Sequence, residues 1–234
     1  MKKIKLYDYQ QEMLENIIKV LTTTATGRFY DENGKRVTVG SSVMVQMPTG
    51  TGKTYVMAAT VKWFLDNHDE GEVWIVAHRR ELVEQMQQTL DRFCLDYGEK
   101  EMVLKAKVRI RVLSIQWLGR HIGDLKKADC IPGMIVVDEA HHALARSYKD
   151  LFDRNRDALK LGMTATPCRM KRESFGMLFE RLISSPSTKD FIKRGYLAPY
   201  DYVVIGQFSQ DQLTINSLKG RGSDGDYSIK EMGI

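Results

Sequence analysis

Cysteine is scarce in this chain of 234 residues. Only Cys94, Cys130 and Cys168 occur, odd in number and far apart. That excludes a disulfide framework and a Cys-x-x-Cys metal knuckle, and makes a reducing cytoplasm the expected setting. Long apolar stretches are lacking too. No run of eighteen apolar residues is present, and the charged start MKKIKLYDYQ leads into neither an apolar h-region nor a small-residue cleavage site. No membrane span, membrane partner or secretion signal is therefore expected. Internal repeats and low-complexity tracts are absent as well. Nor does one sign of charge dominate: 35 Lys and Arg stand against 30 Asp and Glu, a net charge of +5. Such a balance is compatible with a phosphate backbone as partner without demanding one.

What is present suffices for a core. At 43% hydrophobic residues, the length fits one large domain with or without a short appendage. Met13, Leu14, Ile17, Ile18 and Leu21 recur at the three-and-four spacing of an amphipathic helix over Tyr9 to Leu21. Asn33-Gly34, between strand-prone stretches, signals a β-hairpin inserted over residues 28–39. Strands then alternate with helices: Val43 to Met47, a helix from Lys53 to Asn67, Glu72 to Ala77, a helix from Arg79 to Asp96, and strands at Val108 to Leu113, Met134 to Val137 and Leu159 to Met163. Continuously apolar strands such as MIVV are buried on both faces, so the expected fold is α/β, a doubly wound, mostly parallel sheet. A short helix at Ser187 to Arg194 and a strand at Pro199 to Ile205 are expected to close a domain spanning 1–206. Residues 207–234 then read as a linker toward a further lobe.

MPTGTGKT, Met47 to Thr54, lies between an apolar strand and a helix. Gly50 and Gly52 let the backbone turn tightly enough for the N–H groups of Thr49 to Thr54 to point at phosphate oxygens, beside the positive end of the helix. Lys53 suits the β and γ phosphates, and the Thr54 hydroxyl a magnesium position. Met47 stands where the full phosphate-loop pattern has glycine. A second constellation follows an apolar strand: Asp138, Glu139, Ala140 and His141. Carboxyl ends of strands in open α/β sheets face the ligand crevice. Asp138 is suited to hold Mg²⁺ there and Glu139 to polarise the attacking water; helix capping is the bland alternative for both. His78, Arg79 and Arg80 are donors suited to phosphates, and equally read as a solvated basic helix start.

DEAH at Asp138 to His141, with MPTGTGKT upstream, resembles the superfamily 2 helicases. Further blocks fall in that family's order. LYDYQ, Leu6 to Gln10, resembles the segment whose Gln reads the adenine edge. AHRRELVEQ, from Ala77 to Gln85, resembles motif Ia on the nucleic-acid backbone, and SIQWL, with Ser114 and Gln116, a second block on that side. LGMTATP, Leu161 to Pro167, resembles motif III, whose threonines, here Thr164 and Thr166, connect the ATP site to the bound strand. The resemblance implies a RecA-like ATP-binding lobe using ATP and Mg, with Gln10, Lys53, Thr54 and His141 near the nucleotide. It also implies a second RecA-like lobe supplying arginine fingers and half of the nucleic-acid track. AHRREL and the DEAHH ending are similar to the restriction-enzyme motor and RadD-like DNA translocases. An RNA helicase lobe and a nucleotide-dependent interaction module without motor activity are the alternatives.

Overall fold

A computed structural model describes residues 5–23, 28–30, 36–38, 41–78, 80–93, 95, 97, 108–140, 146–166 and 178–199. Helix α1, Asp8–Thr23, opens the chain. Its inner stripe is Tyr9, Gln10, Met13, Ile17 and Leu21, one residue per turn at i, i+4 spacing, whereas Leu14 and Ile18 are only partly covered. The strands β1, Arg28–Tyr30, and β2, Arg36–Thr38, pair antiparallel as the hairpin expected from Asn33-Gly34. A two-residue turn centred on Asn33-Gly34 would pair Tyr30 with Val37. The register instead pairs Tyr30 with Arg36, one step away.

The core strands and helices follow in order: β3, Ser42–Gln46; α2, Lys53–Asn67; β4, Glu72–Ala77; α3, Arg80–Arg92; β5, Ile110–Ser114; α4, Ile115–Lys127; β6, Pro132–Asp138; α5, Arg146–Arg154; β7, Leu159–Thr164; β8, Arg181–Ser184; and α6, Thr188–Lys193. Six strands form one sheet in the order β5-β4-β6-β7-β3-β8, every neighbouring pair parallel. The mostly parallel sheet anticipated from the sequence is thus wholly parallel among the described residues. β8 was not anticipated. Its four residues are largely exposed, with Leu182 at the surface, so an edge strand of this kind carries no continuous apolar run to detect.

Alternate residues of the strands feed two separate layers, as a pleat requires. Val43, Val45, Val73, Ile75, Met134, Val136, Leu161 and Met163 pack with α1, α2, α3 and Phe191 of α6. Met44, Trp74, Val76, Leu113, Ile135 and Val137 pack with α4 and α5. The chain therefore travels outward from β3 to β4 and β5 over one face, and returns through β6 and β7 over the other. This reversal brings the ends of β3, β6 and β7 together, where doubly wound sheets open a ligand crevice.

α6 begins with a full capping box. Ser187 accepts from the Asp190 N–H, and the Asp190 carboxylate accepts from the Ser187 N–H, so two of the donors that every helix start leaves over are satisfied. The expected strand at Pro199 to Ile205, the boundary at residue 206 and the linker 207–234 lie outside the described residues, apart from position 199.

Candidate functional site

The turn from β3 into α2 is built by two glycines in the left-handed region, Gly50 at φ 82° and Gly52 at φ 76°, which residues with a Cβ enter only with strain. Gly52 is required a second time, because a Cβ there would stand 2.4 Å from Gln10 Nε2. No side chain caps the start of α2. Its N–H groups and the positive end of the helix are thus available to an anion. Met47, at the position where the full pattern has glycine, is completely buried in the α1–α2 layer, and its N–H donates to Thr164 O at 2.9 Å. A glycine there would leave a void in that layer, which accounts for the departure.

The back of the loop is braced by α1. Tyr9 Oη donates to Thr51 O at 2.9 Å, Gln10 Nε2 donates to the same oxygen at 3.1 Å, and Gln10 Oε1 accepts from the Tyr7 N–H at 3.0 Å. Gln10, expected at the adenine, is therefore buried and bonded at both ends of its amide to the protein. Tyr9 was not singled out from the sequence. Burial, with Tyr7 and Tyr196 nearby, pushes its phenol above the ordinary value and keeps it a donor. Its ring packs edge-on against Phe191 and Tyr196, tying α6 to the same loop.

In front of the loop lies a cleft of about 410 Å³ lined by Thr49, Gly50, Gly52, Lys53 and Thr54, by Asp138 and Glu139 from the end of β6, and by Leu82, Gln85, Thr89 and Arg92 of α3. Lys53, Thr54, Asp138 and Glu139, far apart in the chain, share this one opening. Asp138 is 7% exposed. Glu139 sits at φ 48°, a strained value for a residue with a Cβ. Arg92 reaches Tyr55 Oη at 3.0 Å. Neither residue was anticipated, because nothing in sequence spacing links α2 to α3.

Along the same sheet edge, Gln116 Nε2 donates to His78 O at 3.0 Å, binding the turn after β4 to α4. Ser114 Oγ accepts from the Trp117 N–H at 3.3 Å, as an N-cap does. Thr164 is fully buried; its hydroxyl donates to Thr166 O at 3.0 Å and accepts from the Thr166 N–H at 3.2 Å. Because Thr164 O also holds Met47, this turn and the phosphate loop share a hydrogen bond. Arg79, His141 and the side chain of Arg80 lie outside the described residues. Among the described residues, no group of three or more His, Cys, Asp or Glu could hold a metal, and no helix is long and apolar enough to cross a membrane.

A parallel sheet with a phosphate loop after one strand and paired acids after another is a RecA-like, helicase-type nucleotide domain. Comparison with known proteins gives it a family. The chain belongs to the Type III restriction enzyme res subunit family, whose profile matches residues 3–169. It is 30% identical over 185 residues to a 51.5 kDa protein of a Lactococcus phage, covering 79% of this chain and 36% of that protein. It is 25% identical to putative helicase 22 of a Sulfolobus islandicus filamentous virus, over 71% of this chain and 32% of that one. The chain thus spans about a third of the length of these relatives. Among solved structures it resembles the Type ISP restriction-modification enzyme LlaGI in complex with a DNA substrate mimic, with a TM-score of 0.62 at 14% identity, covering 92% of this chain and 22% of that one. The Pyrococcus furiosus Hef helicase domain gives 0.59 at 20% identity, covering 80% and 39%.

Proposed function

We propose that the chain is the ATP-binding lobe of a motor that couples ATP hydrolysis to movement on nucleic acid, DNA rather than RNA. The observation that carries this reading is the meeting of Lys53, Thr54, Asp138 and Glu139 in one cleft at the uncapped start of α2. Lys53 and the loop N–H groups hold the β and γ phosphates, and phosphoryl transfer is catalysed chiefly by such positioning and charge stabilisation. The Thr54 hydroxyl and the nearly buried Asp138 carboxylate form an oxygen-only donor pair. Two protein oxygens plus phosphates is the arrangement magnesium prefers over an all-protein cage. When bound, the metal supplies neutralisation of phosphate charge. Glu139 accepts the proton of the attacking water, whose oxygen bonds to the γ phosphorus as the bond to ADP breaks.

Motion requires a second RecA-like lobe. The length shared with relatives, about a third, leaves room in them for one. His78, Arg79, Arg80, Ser114 and Gln116 form the lobe's share of the nucleic-acid track through backbone contacts, so base sequence matters little and salt matters strongly. DNA is favoured because a similar fold is seen in LlaGI with a DNA substrate mimic and in a Sulfolobus solfataricus SWI2/SNF2 ATPase core with dsDNA. The test is Glu139→Gln in the full-length protein. Nucleotide affinity should persist while turnover falls by roughly 10²–10⁴-fold, the usual range for a general base; wild-type turnover would overturn the reading. Competition between DNA and RNA of one sequence decides the polymer.

A further inference from the structure

Glu139 is held in a backbone conformation that its own Cβ resists. A φ of 48° is strained for a residue with a Cβ, and persists only where the surroundings impose it. The next residue is fixed in the core. Ala140 is completely buried, in the layer that packs α4 and α5 on the sheet, and its methyl group faces β7 at Gly162. A Cβ added at Gly162 would stand 2.9 Å from the Ala140 Cβ, 2.7 Å from Phe179 Cζ and 2.9 Å from Phe179 Cε1. Carbon atoms in good contact keep about 3.5–4.0 Å.

Gly162 is not a glycine for the sake of backbone freedom. It lies inside a strand, paired with Val137, and its φ is not positive. Glycine weakens a strand interior, so close approach is the remaining reason for it. The two obstructing neighbours differ in kind. Phe179 presents the far end of a side chain, whose tip gives way by tilting about χ1 rather than by ring rotation, which leaves Cζ on its axis. The Ala140 methyl is fixed to the main chain and gives way only if the turn over Asp138, Glu139 and Ala140 moves.

We infer that Gly162 is a positioning residue for the water-activating acid: its bare Cα lets Ala140 seat against β7, and the seated Ala140 holds the left-handed turn that keeps Glu139 at the cleft. This rests on the reading of Glu139 given above. A methyl group at position 162 lifts the turn, releases Glu139 toward ordinary negative φ and withdraws its carboxylate. Lys53 and Thr54, carried by a different loop, keep their places.

The test is Gly162→Ala in the full-length protein, reading kcat for ATP and nucleotide affinity separately. The expected result is a fall in kcat of about tenfold or more with affinity within about twofold. Adding Ala140→Gly should restore kcat to within about threefold of the Ala140→Gly variant alone, whereas adding Phe179→Leu should not. Unchanged kcat in Gly162→Ala, equal rescue by Phe179→Leu, or a loss of affinity as large as the loss of kcat would overturn the inference. If Gly162→Ala melts below the assay temperature, the Gly162→Ala/Phe179→Leu pair decides. Folded with low kcat, it upholds the inference; folded with full kcat, or still unfolded, it reduces the effect to plain packing. Glu139→Gln measured alongside separates the two claims. Wild-type turnover there defeats the reading of Glu139, while an inactive Glu139→Gln beside a fully active Gly162→Ala defeats only this inference.

Discussion

Where the strands begin, polar side chains are locked to the protein; where they end, polar side chains meet at a cleft. At the beginning edge, Arg111 is 1% exposed and grips Glu72 with two bonds of 2.6 Å. Glu72 also accepts from Trp74 Nε1 at 2.9 Å, and Arg111 Nη2 lies 3.2 Å from Cys130 Sγ. Burial, then Glu72, pushes that thiol up, so it stays protonated and inert. Arg109 donates to His68 O and Gly71 O, closing the α2–β4 turn. The opposite edge holds two glycines in left-handed turns, a strained Glu139 and a helix start without a side-chain cap. One edge therefore holds the fold together through side-chain bonds, and the other keeps an uncapped helix start and two acids at an open cleft; left-handed backbone occurs at both, with Gly71 at φ 85° and Asp129 at φ 55° where strands begin.

The sharpest way to break this contrast is to cross the two edges. Lys53→Ala at the ending edge should lower nucleotide affinity and turnover by roughly 10²-fold or more, because the main phosphate cation is lost. Its melting temperature without nucleotide should be unchanged, since Lys53 is only half-buried in an open cleft. Isothermal titration with ADP and ATP, beside a thermal melt, checks both. A stability loss as large as the affinity loss would erase the distinction between the edges.

At the beginning edge the expectation is reversed. Arg111→Met strands a partly buried carboxylate, and breaking a buried pair costs about 3–5 kcal/mol; the partial exposure of Glu72 argues for the lower end. Nucleotide affinity of the folded protein should stay within about twofold. Arg111→Met/Glu72→Gln, whose amide oxygen still accepts from Trp74, should recover most of the loss. Urea unfolding monitored by fluorescence gives the numbers, and failure of the double variant to recover would mean that packing, not charge, dominates there.

A smaller effect belongs to Gly52. Gly52→Ala must hold an alanine at φ 76° and displace Gln10 Nε2 from 2.4 Å. Left-handed strain costs on the order of 1–2 kcal/mol. The collision falls on a side chain that braces the loop from behind, so ADP affinity should drop about tenfold. Adding Gln10→Ala should remove the collision but not the strain and return part of that loss; no return would mean that the two residues act separately.

The unequal legibility of the two edges has a physical cause. The ending edge is written in contiguous motifs: MPTGTGKT places Gly50, Gly52, Lys53 and Thr54, and a four-residue apolar strand delivers Asp138 and Glu139. The start of the helix at Lys53 and both ends of the strand Glu72–Ala77 are readable to the residue because a buried apolar run or a glycine bounds each of them. Contacts between distant segments were not readable. Arg111 and Glu72 meet because β5 lies beside β4, Tyr9 reaches Thr51 because α1 crosses behind the loop, and Gly162 touches Ala140 only after β6 and β7 pair. Nothing in the spacing of these residues announces such contacts, and a solitary Arg inside an apolar strand even argues against burial.

A lever of another kind on the comparison is pH, and it acts at the beginning edge through Lys160. This residue is 5% exposed, donates to Arg156 O at 2.9 Å and Ala158 O at 2.8 Å, and lies 5.8 Å from the centre of the Phe152 ring. Burial pushes its ammonium down to about 8 from an ordinary 10.5. Between those values the unfolded chain holds a proton that the folded chain has released, so this group makes stability rise with pH from about 8 to about 10.5. The slope is at most about 1.4 kcal/mol per pH unit. Below pH 8 both states are protonated and the contribution is flat. Unfolding curves of the wild type and Lys160→Met from pH 7 to 10 isolate the term by difference. Parallel pH dependence in the two proteins would show that the carbonyl oxygens around Nζ, rather than burial, set its charge, and that this edge keeps its cation throughout.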